Sequence, residues 1–324
     1  MVYCLGHYII SPLGEGSQAN VEAIQAGRSG LKIYTDRFAD VEPFCASLFD
    51  TPQAFVPLCI RSAEEAMRFC PKAIGHLKET VFILSTTKGD NLDLLTPAQE
   101  IARHFGNPNP PIVVSNACTS GVCAQITAKR LLEAGVYQFA VVIGCDIQTR
   151  FIVSGFQAFK ALSPEPCLPF SPDRKGLNLG EAAATIIYGN EKPADNGQPV
   201  WRLVAGAIHN DANHLSAPSR TGEGAYQCLK EVMEGVTPED IDLLGVHGTA
   251  TPYNDAMEAI AIERAGLQSV PISALKPFYG HTMGAAGVVE TILCMLLTKQ
   301  KKAQIIKMLS GFGGVNAAIR LTCE

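Results

Sequence analysis

A chain of 324 residues, with 47% hydrophobic side chains and 29 glycines, can bury a large core in one large or two medium domains. A net charge of −5 and an isoelectric point near 5.8 exclude the overall basic character of a nucleic-acid binder, and no run of ~18 apolar residues marks a membrane span. Eleven cysteines without regular spacing, behind an N-terminus lacking a basic start and cleavage site, point to a reducing, cytoplasmic setting.

In chain order, Ser11-Pro-Leu-Gly-Glu-Gly opens into a predicted helix over 17–26, and residues 28–56 read as loop with one strand at most. Residues 57–69 place apolar side chains at helical spacing, with Arg61, Glu64, Glu65 and Arg68 on the polar side. A short buried strand is expected at 81–85, then a helix over 96–105 capped by Thr96 with Pro97 at its first position. Breakers fill 106–111 before a β-branched run at 112–115, read as a buried strand, and a helical pattern that ends at Gly135. Further strands are expected at 139–144, 182–188 and 201–208, around an irregular four-proline stretch at 161–172. The polar, breaker-rich residues 189–199 are the best internal boundary, dividing the chain into domains 1–195 and 196–324. Helices over 222–234, 254–265 and 284–298 alternate with strands over 243–246, 270–274, 303–308 and 316–321. This alternation argues for α/β layers with mostly parallel, doubly covered sheets.

Three residues carry the chemistry. Cys118 falls where the 112–115 strand gives way to a helix, so the helix N-terminus favours its thiolate. A lone cysteine there is more often a small core hydrophobe. His247 follows the 243–246 strand, and His281 lies between a strand and the 284–298 helix; glycines flank both. In α/β sheets ligand sites gather beyond the carboxyl ends of strands, where all three stand. The passage from 271–274 into the 284–298 helix also echoes the passage into the Cys118 helix, as two similar halves sharing one site would.

Asn116-Ala-Cys-Thr-Ser-Gly121, His247-Gly-Thr-Ala-Thr-Pro252, residues 276–287 and Ser310-Gly-Phe-Gly-Gly-Val-Asn316 resemble, in order, four motifs of the β-ketoacyl-acyl-carrier-protein synthases. The resemblance is to the elongating Cys-His-His branch, strong over 112–321 and loose before it. It implies a thiolase-like α/β fold, two similar βα halves stacked as five layers (αβαβα), the first carrying Cys118 and the second both histidines. It also implies decarboxylative Claisen condensation of malonyl-carrier protein with an acyl group held on Cys118. No cofactor is implied beyond the phosphopantetheine of acyl carrier protein. Partners are that carrier, its malonyl and acyl thioesters, and a second subunit, in a homodimer or in a heterodimer with a related synthase.

By the same resemblance, the N–H groups of Cys118 and Phe312 hold an oxyanion and neutral His247 and His281 stabilise an enolate. Lys276 and Glu290 support the histidines, Phe312 gates, and Thr249, Thr251 and Ser216 bond the phosphopantetheine arm. Read without it, the Lys276–Glu290 pair is an ordinary salt bridge, the hydroxyls are turn residues and Phe312 is core. Two other classes compete: a catalytically quiet partner subunit acting as a binding module, and a zinc site on Cys118, His247 and His281. The chain also departs from the family. Only 117 residues precede Cys118, Leu168 stands where a basic docking residue is common, and Gly245, Val246, Pro277, Phe278 and Tyr279 are atypical neighbours of the histidines. The expectation is a shortened, divergent member of a specialised pathway.

Overall fold

The computed structural model describes residues 1–324 except 71, 195, 196, 198 and 299–301. The expected junction at 195–196 thus lies outside the described residues. The chain opens with β1 (Tyr3–Ser11), β2 (Gly14–Glu15), α1 (Ser17–Gln25), β3 (Lys32–Tyr34) and β4 (Phe44–Ser47). Next come α2 (Phe55–Met67), β5 (Thr80–Ser85), α3 (Leu95–His104), β6 (Ile112–Val114) and α4 (Ser120–Glu133). They are followed by β7 (Phe139–Asp146), α5 (Arg150–Ala158), β8 (Leu179–Gly180) and β9 (Ala182–Gly189). The remainder is β10 (Trp201–Asn210), α6 (Glu223–Val232), β11 (Leu243–Gly245), α7 (Pro252–Arg264), β12 (Ile272–Ser273), α8 (Lys276–Tyr279), α9 (Ala286–Leu297), β13 (Gln304–Gly311) and β14 (Val315–Cys323).

Two five-strand sets have the same plan. One runs β6-β5-β7-β9-β1 and the other β12-β11-β13-β14-β10. In each, the first three strands are parallel and the last two antiparallel to their neighbours. β1 and β10 meet at Tyr3 and Arg202 and join the sets. The sequence echo is therefore a repeat of topology, with α4 following β6 as α9 follows β12.

Both α4 and α9 touch strands of both sets and form the central layer; α2 and α3 cover one outer face, and α6 and α7 the other. This is the αβαβα stack of a thiolase-like fold. The largest core cluster fills the centre, around Val122, Ile126, Val288 and Ile292. Separate clusters lie under α2 and α6. A three-stranded sheet, β3-β4-β8, packs with α5 to make a small lobe around Phe44, Val153 and Phe156.

Several local expectations change. The sheet is mixed rather than mostly parallel, because β9, β1, β14 and β10 return antiparallel on one side of each set. β6 is half-buried because it is a sheet edge, not an interior strand. Residues 28–56 hold two short strands, β3 and β4. β1, at the middle of the sheet, gave no alternating signal because its register shifts between Cys4 and Gly6. A Cβ on Gly6 would lie 2.5 Å from the carbonyl oxygen of Ala66, so the glycine admits α2 against the strand. α5 was not legible in Arg-Phe-Ile-Val-Ser-Gly-Phe-Gln-Ala, whose β-branched and glycine residues disfavour helix; Thr149 caps it by accepting from the N–H of Ile152. The acceptor at the start of α3 is Asp93, bonded to the N–H groups of Leu95 and Thr96, instead of Thr96 itself.

The central helices approach through glycine. A Cβ on Gly121 would lie 2.8 Å from Gly287 Cα, and one on Gly287 2.4 Å from the backbone nitrogen of Val122. Neither backbone atom can yield. Gly121→Ala and Gly287→Ala should each destabilise by about 1–3 kcal/mol or more. Gly155→Ala, with nothing within 4 Å of the new Cβ, should be neutral or slightly stabilising. Thermal unfolding of the three variants checks this, and an unchanged midpoint for Gly121→Ala would contradict the close approach.

Candidate active site

Cys118 sits on a turn that the local sequence forces. Ala117 takes a positive φ of 48°, which costs energy in a non-glycine residue. Hydroxyls stabilise the turn: Ser120 Oγ accepts from the Asn116 N–H at 2.7 Å, and Thr119 Oγ1 donates to the Asn116 carbonyl at 2.7 Å. Cys118 therefore lies just ahead of α4, 7% exposed. The backbone N–H groups of Phe312 and Cys118 both reach its sulfur. Gly311 brings the β13–β14 turn close, since a Cβ there would lie 3.2 Å from the Cys118 nitrogen.

His247 follows β11 on a loop held by the first turns of α7. Glu258 accepts from the N–H groups of His247 and Gly248, and Asp255 from those of Thr249 and Ala250. Positive φ at Gly248 and Ala250 lets four successive amides turn toward these two carboxylates. His281 follows α8, its N–H bonded to the Asn178 carbonyl and its own carbonyl to the Gly180 N–H. The rings meet edge to face at 5.1 Å between centroids. The Cys118 sulfur and the facing nitrogens of both histidines all lie within 4.8 Å of one another. Nδ1 of His247 and both ring nitrogens of His281 are buried without a protein hydrogen-bond partner among the described residues, a capacity that a ligand would fill.

Electrostatics here follow from burial. It pushes the Cys118 thiol up to about 11, against the lowering by Lys276 and the two amides. The thiol is therefore the resting form, and the thiolate expected from the helix N-terminus is outweighed by desolvation. Burial also drives His247 and His281 well below the ordinary imidazole value, helped by the charges of Lys276 and Lys307. Both rings are neutral. Glu290 is buried too, which raises it, but Lys276 and Lys307 hold it below the usual carboxylate range.

One cavity of about 500 Å³ is lined by Cys118, His247, His281, Thr249, Thr251, Ser216 and Phe312. Seven of the nine residues singled out in the sequence thus meet there. Thr249 and Thr251 bond each other at 2.9 Å, and Ser216 lies on the loop across the mouth near His214. Phe312, 39% exposed, stacks on Phe156 at 5.8 Å with Phe159 at its edge. Lys276 and Glu290 stand behind the cavity: Lys276 Nζ donates to the His247 carbonyl and, at 2.9 Å, to Glu290 Oε1.

Sequence reasoning missed Lys307, Asp146, Asp255 and Glu258. Lys307 announced itself as a lone charge inside the apolar run 305–309, and Asp255 and Glu258 as acids one turn apart after the histidine loop. Asp146 carried no local signal. Its carboxylate accepts from Thr86, Thr87 and the N–H of Gly284, tying β7 to the segment before α9. As metal donors, Cys118, His247 and His281 make three; among the described residues no fourth Cys, His, Asp or Glu joins them. Two amides aimed at the sulfur and two ammonium groups behind the rings favour an anion over Zn²⁺.

Residues 85–193 match the family described as beta-ketoacyl synthase, N-terminal domain, and residues 202–307 match beta-ketoacyl synthase, C-terminal domain. A 3-oxoacyl-[acyl-carrier-protein] synthase 2 of Rhizobium meliloti (strain 1021) is 35% identical over 225 residues, 64% of this chain and 53% of the relative. A synthase of the same name from Vibrio cholerae serotype O1 is 34% identical over 237 residues, 68% of this chain and 56% of the relative. The chain spans about half the length of the curated relatives it matches. In structure it resembles a chain of the complex of ketosynthase ApeO with its chain length factor ApeC from Xenorhabdus doucetiae, with TM-score 0.89 and 24% identity over 100% of this chain and 98% of that one. A beta-ketoacyl synthase from Burkholderia phymatum STM815 gives TM-score 0.89 at 19% identity, over 99% and 98%. These two likenesses establish a shared fold. With both domains matched in order, the chain belongs to the beta-ketoacyl synthase family.

Proposed function

We propose that this chain is an acyltransferase that elongates acyl thioesters by decarboxylative Claisen condensation. The observation that carries the reading is one thiol and two neutral imidazoles within 4.8 Å of one another on one cavity. In the first half-reaction Cys118 attacks the acyl thioester, and its proton leaves with the carrier thiol, so one thioester replaces another. The N–H groups of Cys118 and Phe312 hold the oxyanion. In the second, the bond between the malonyl carboxylate and its α-carbon breaks, carbon dioxide departs, and the electron pair moves to the thioester carbonyl. Ring N–H groups of His247 and His281 stabilise this enolate. Its carbon then attacks the acyl-Cys118 carbonyl, and the expelled sulfur takes up one proton.

Lys276 and Glu290 support the histidines from behind, Thr249, Thr251 and Ser216 bond the phosphopantetheine arm, and Phe312 gates the cavity. We assign Cys118 to a domain 1–195 and both histidines to a domain 196–324. The substrates are malonyl and acyl groups on acyl carrier protein, in fatty acid, polyene or polyketide-type synthesis, and the chain works as a homodimer or with a related synthase subunit. Eleven free cysteines support a reducing, cytoplasmic location; no helix among the described residues is long and apolar enough to cross a membrane. A second reading, a quiet partner subunit, is favoured by the Cys118 thiol standing near 11. Intact triad residues count against it.

Incubation with acyl- and malonyl-carrier proteins should give a product two carbons longer; hydrolysis alone, or no turnover with or without a related subunit, contradicts the reading. His281→Ala should lower malonyl decarboxylation by about 10²-fold or more while acyl transfer to Cys118 largely survives. Equal loss of both would make His281 structural.

The neutral imidazoles also predict an acid weakness. Their folded pKa lies below the unfolded ~6.5, so the unfolded chain binds more protons as pH falls through 6.5, and stability is lost there at up to about 1.4 kcal/mol per pH unit for each ring. Glu258, raised by burial to about 7, acts in the opposite direction. The difference between wild type and a His247→Asn/His281→Asn variant isolates the rings. Thermal midpoints from pH 7.5 to 5 should fall more steeply for wild type, and parallel curves would contradict neutral imidazoles.

A further inference from the structure

β13 is apolar on both sides of Lys307: Ile305, Ile306, Met308 and Leu309 are all buried. An ammonium in such a strand is costly unless its protons are met. The Val246 carbonyl at 2.7 Å and the Gly245 carbonyl at 3.2 Å accept from it, and Glu290 Oε2 forms an ion pair with it at 2.6 Å. Glu290 already has a partner in Lys276, 2.9 Å from its other oxygen. One lysine neutralises one carboxylate, so a second leaves the trio with an excess positive charge. That trio is fully buried behind the two imidazoles.

The backbone contacts show what the second ammonium reaches. Lys276 holds the carbonyl of His247, and Lys307 holds those of the two residues before it. Three successive carbonyls at the end of β11 are thus fixed by two ammonium groups. Other titratable groups facing this cluster are Cys294 on α9, Glu258 on α7, Cys118 ahead of α4, Cys167 on the loop before β8, and His247 and His281 themselves. From β14, Lys307 is paired with Ile319, which carries no charge.

We propose that Lys307 is a positioning residue for the condensing reaction: with Lys276 it clamps Glu290 and the backbone ahead of His247, so that both imidazoles face developing anions from a site of excess positive charge. This rests on the condensing reading above. A simple structural pair needs only Lys276 and Glu290. Lys307 adds orientation, through the strand that carries His247, and a fixed positive field where the enolate charge appears. Its effect falls on decarboxylation, where that charge develops at the histidines, more than on acyl transfer to Cys118.

The test compares Lys307→Met and Lys307→Arg with the wild-type chain in both half-reactions, across pH 5 to 8. Lys307→Met should slow malonyl decarboxylation about ten-fold, less than the ~10²-fold loss of a direct donor, while acylation of Cys118 changes little. The acid limb of its decarboxylation profile should move to higher pH, and Lys307→Arg should restore most of the rate. Wild-type kinetics for Lys307→Met would overturn the proposal, as would an equal loss of both half-reactions with an unmoved acid limb. Ring ¹⁵N titration of His247 and His281 reads the same claim without turnover. Protonation at higher pH in Lys307→Met supports it, and unchanged rings refute it even if the wild-type chain proves inactive. Should Lys307→Met fail to fold, the same titration on Lys307→Gln, which removes the charge but keeps a donor for the β11 carbonyls, decides between these outcomes.

Discussion

The site exists because two central helices can touch. α4 and α9 meet at Gly121 and Gly287, where any Cβ would strike backbone. Each belongs to one copy of the repeated five-strand plan, and each begins just after a turn that carries chemistry. Bringing the helix starts together brings Cys118 and His281 together, while Asp146 ties the turn before α9 back to β7 through the Gly284 N–H. His247 enters from the strand beside β13, completing the triangle. The duplication therefore does more than enlarge the core: it faces two similar turns across one cavity.

Burial then decides the protonation states. Taking a thiol and two imidazoles out of water favours their neutral forms, and the neighbouring positive charges push the rings further the same way. Neutral rings offer N–H donors to an oxyanion without giving up a proton first. The thiol is held high in the free chain, and in the proposed condensation its attack depends on the amides of Cys118 and Phe312 and on the Lys276 charge as the anion forms. Holding charges behind the site has a cost, which the chain meets by giving Lys276, Lys307 and Glu290 one another and three backbone carbonyls.

How much could be read beforehand differs between fold and site. Cys118, His247, His281 and Phe312 were legible because each stands in a glycine-bordered turn with a distinctive local sequence, and Thr249, Thr251 and Ser216 come to the same cavity. Lys276 and Glu290 were legible as a pair, although their carbonyl contact was not. Lys307 was visible only as a lone charge in an apolar run; its role needed the third dimension, since its partners lie on α9 and at the end of β11, far away in the chain. β1 and α5 were missed for local reasons, a register shift at Gly6 and β-branched residues in a short helix, both overridden by packing. The mixed character of the sheet was hidden because strand direction depends on connections rather than on the strands' own residues.

The most direct test of the central claim is the intact mass of the protein after exposure to an acyl-carrier thioester. The account predicts one added acyl group on Cys118, absent from Cys118→Ala, and discharged when malonyl-carrier protein is added with release of carbon dioxide. An acyl group found on another cysteine, or one on Cys118 that malonyl-carrier protein never removes, would contradict it.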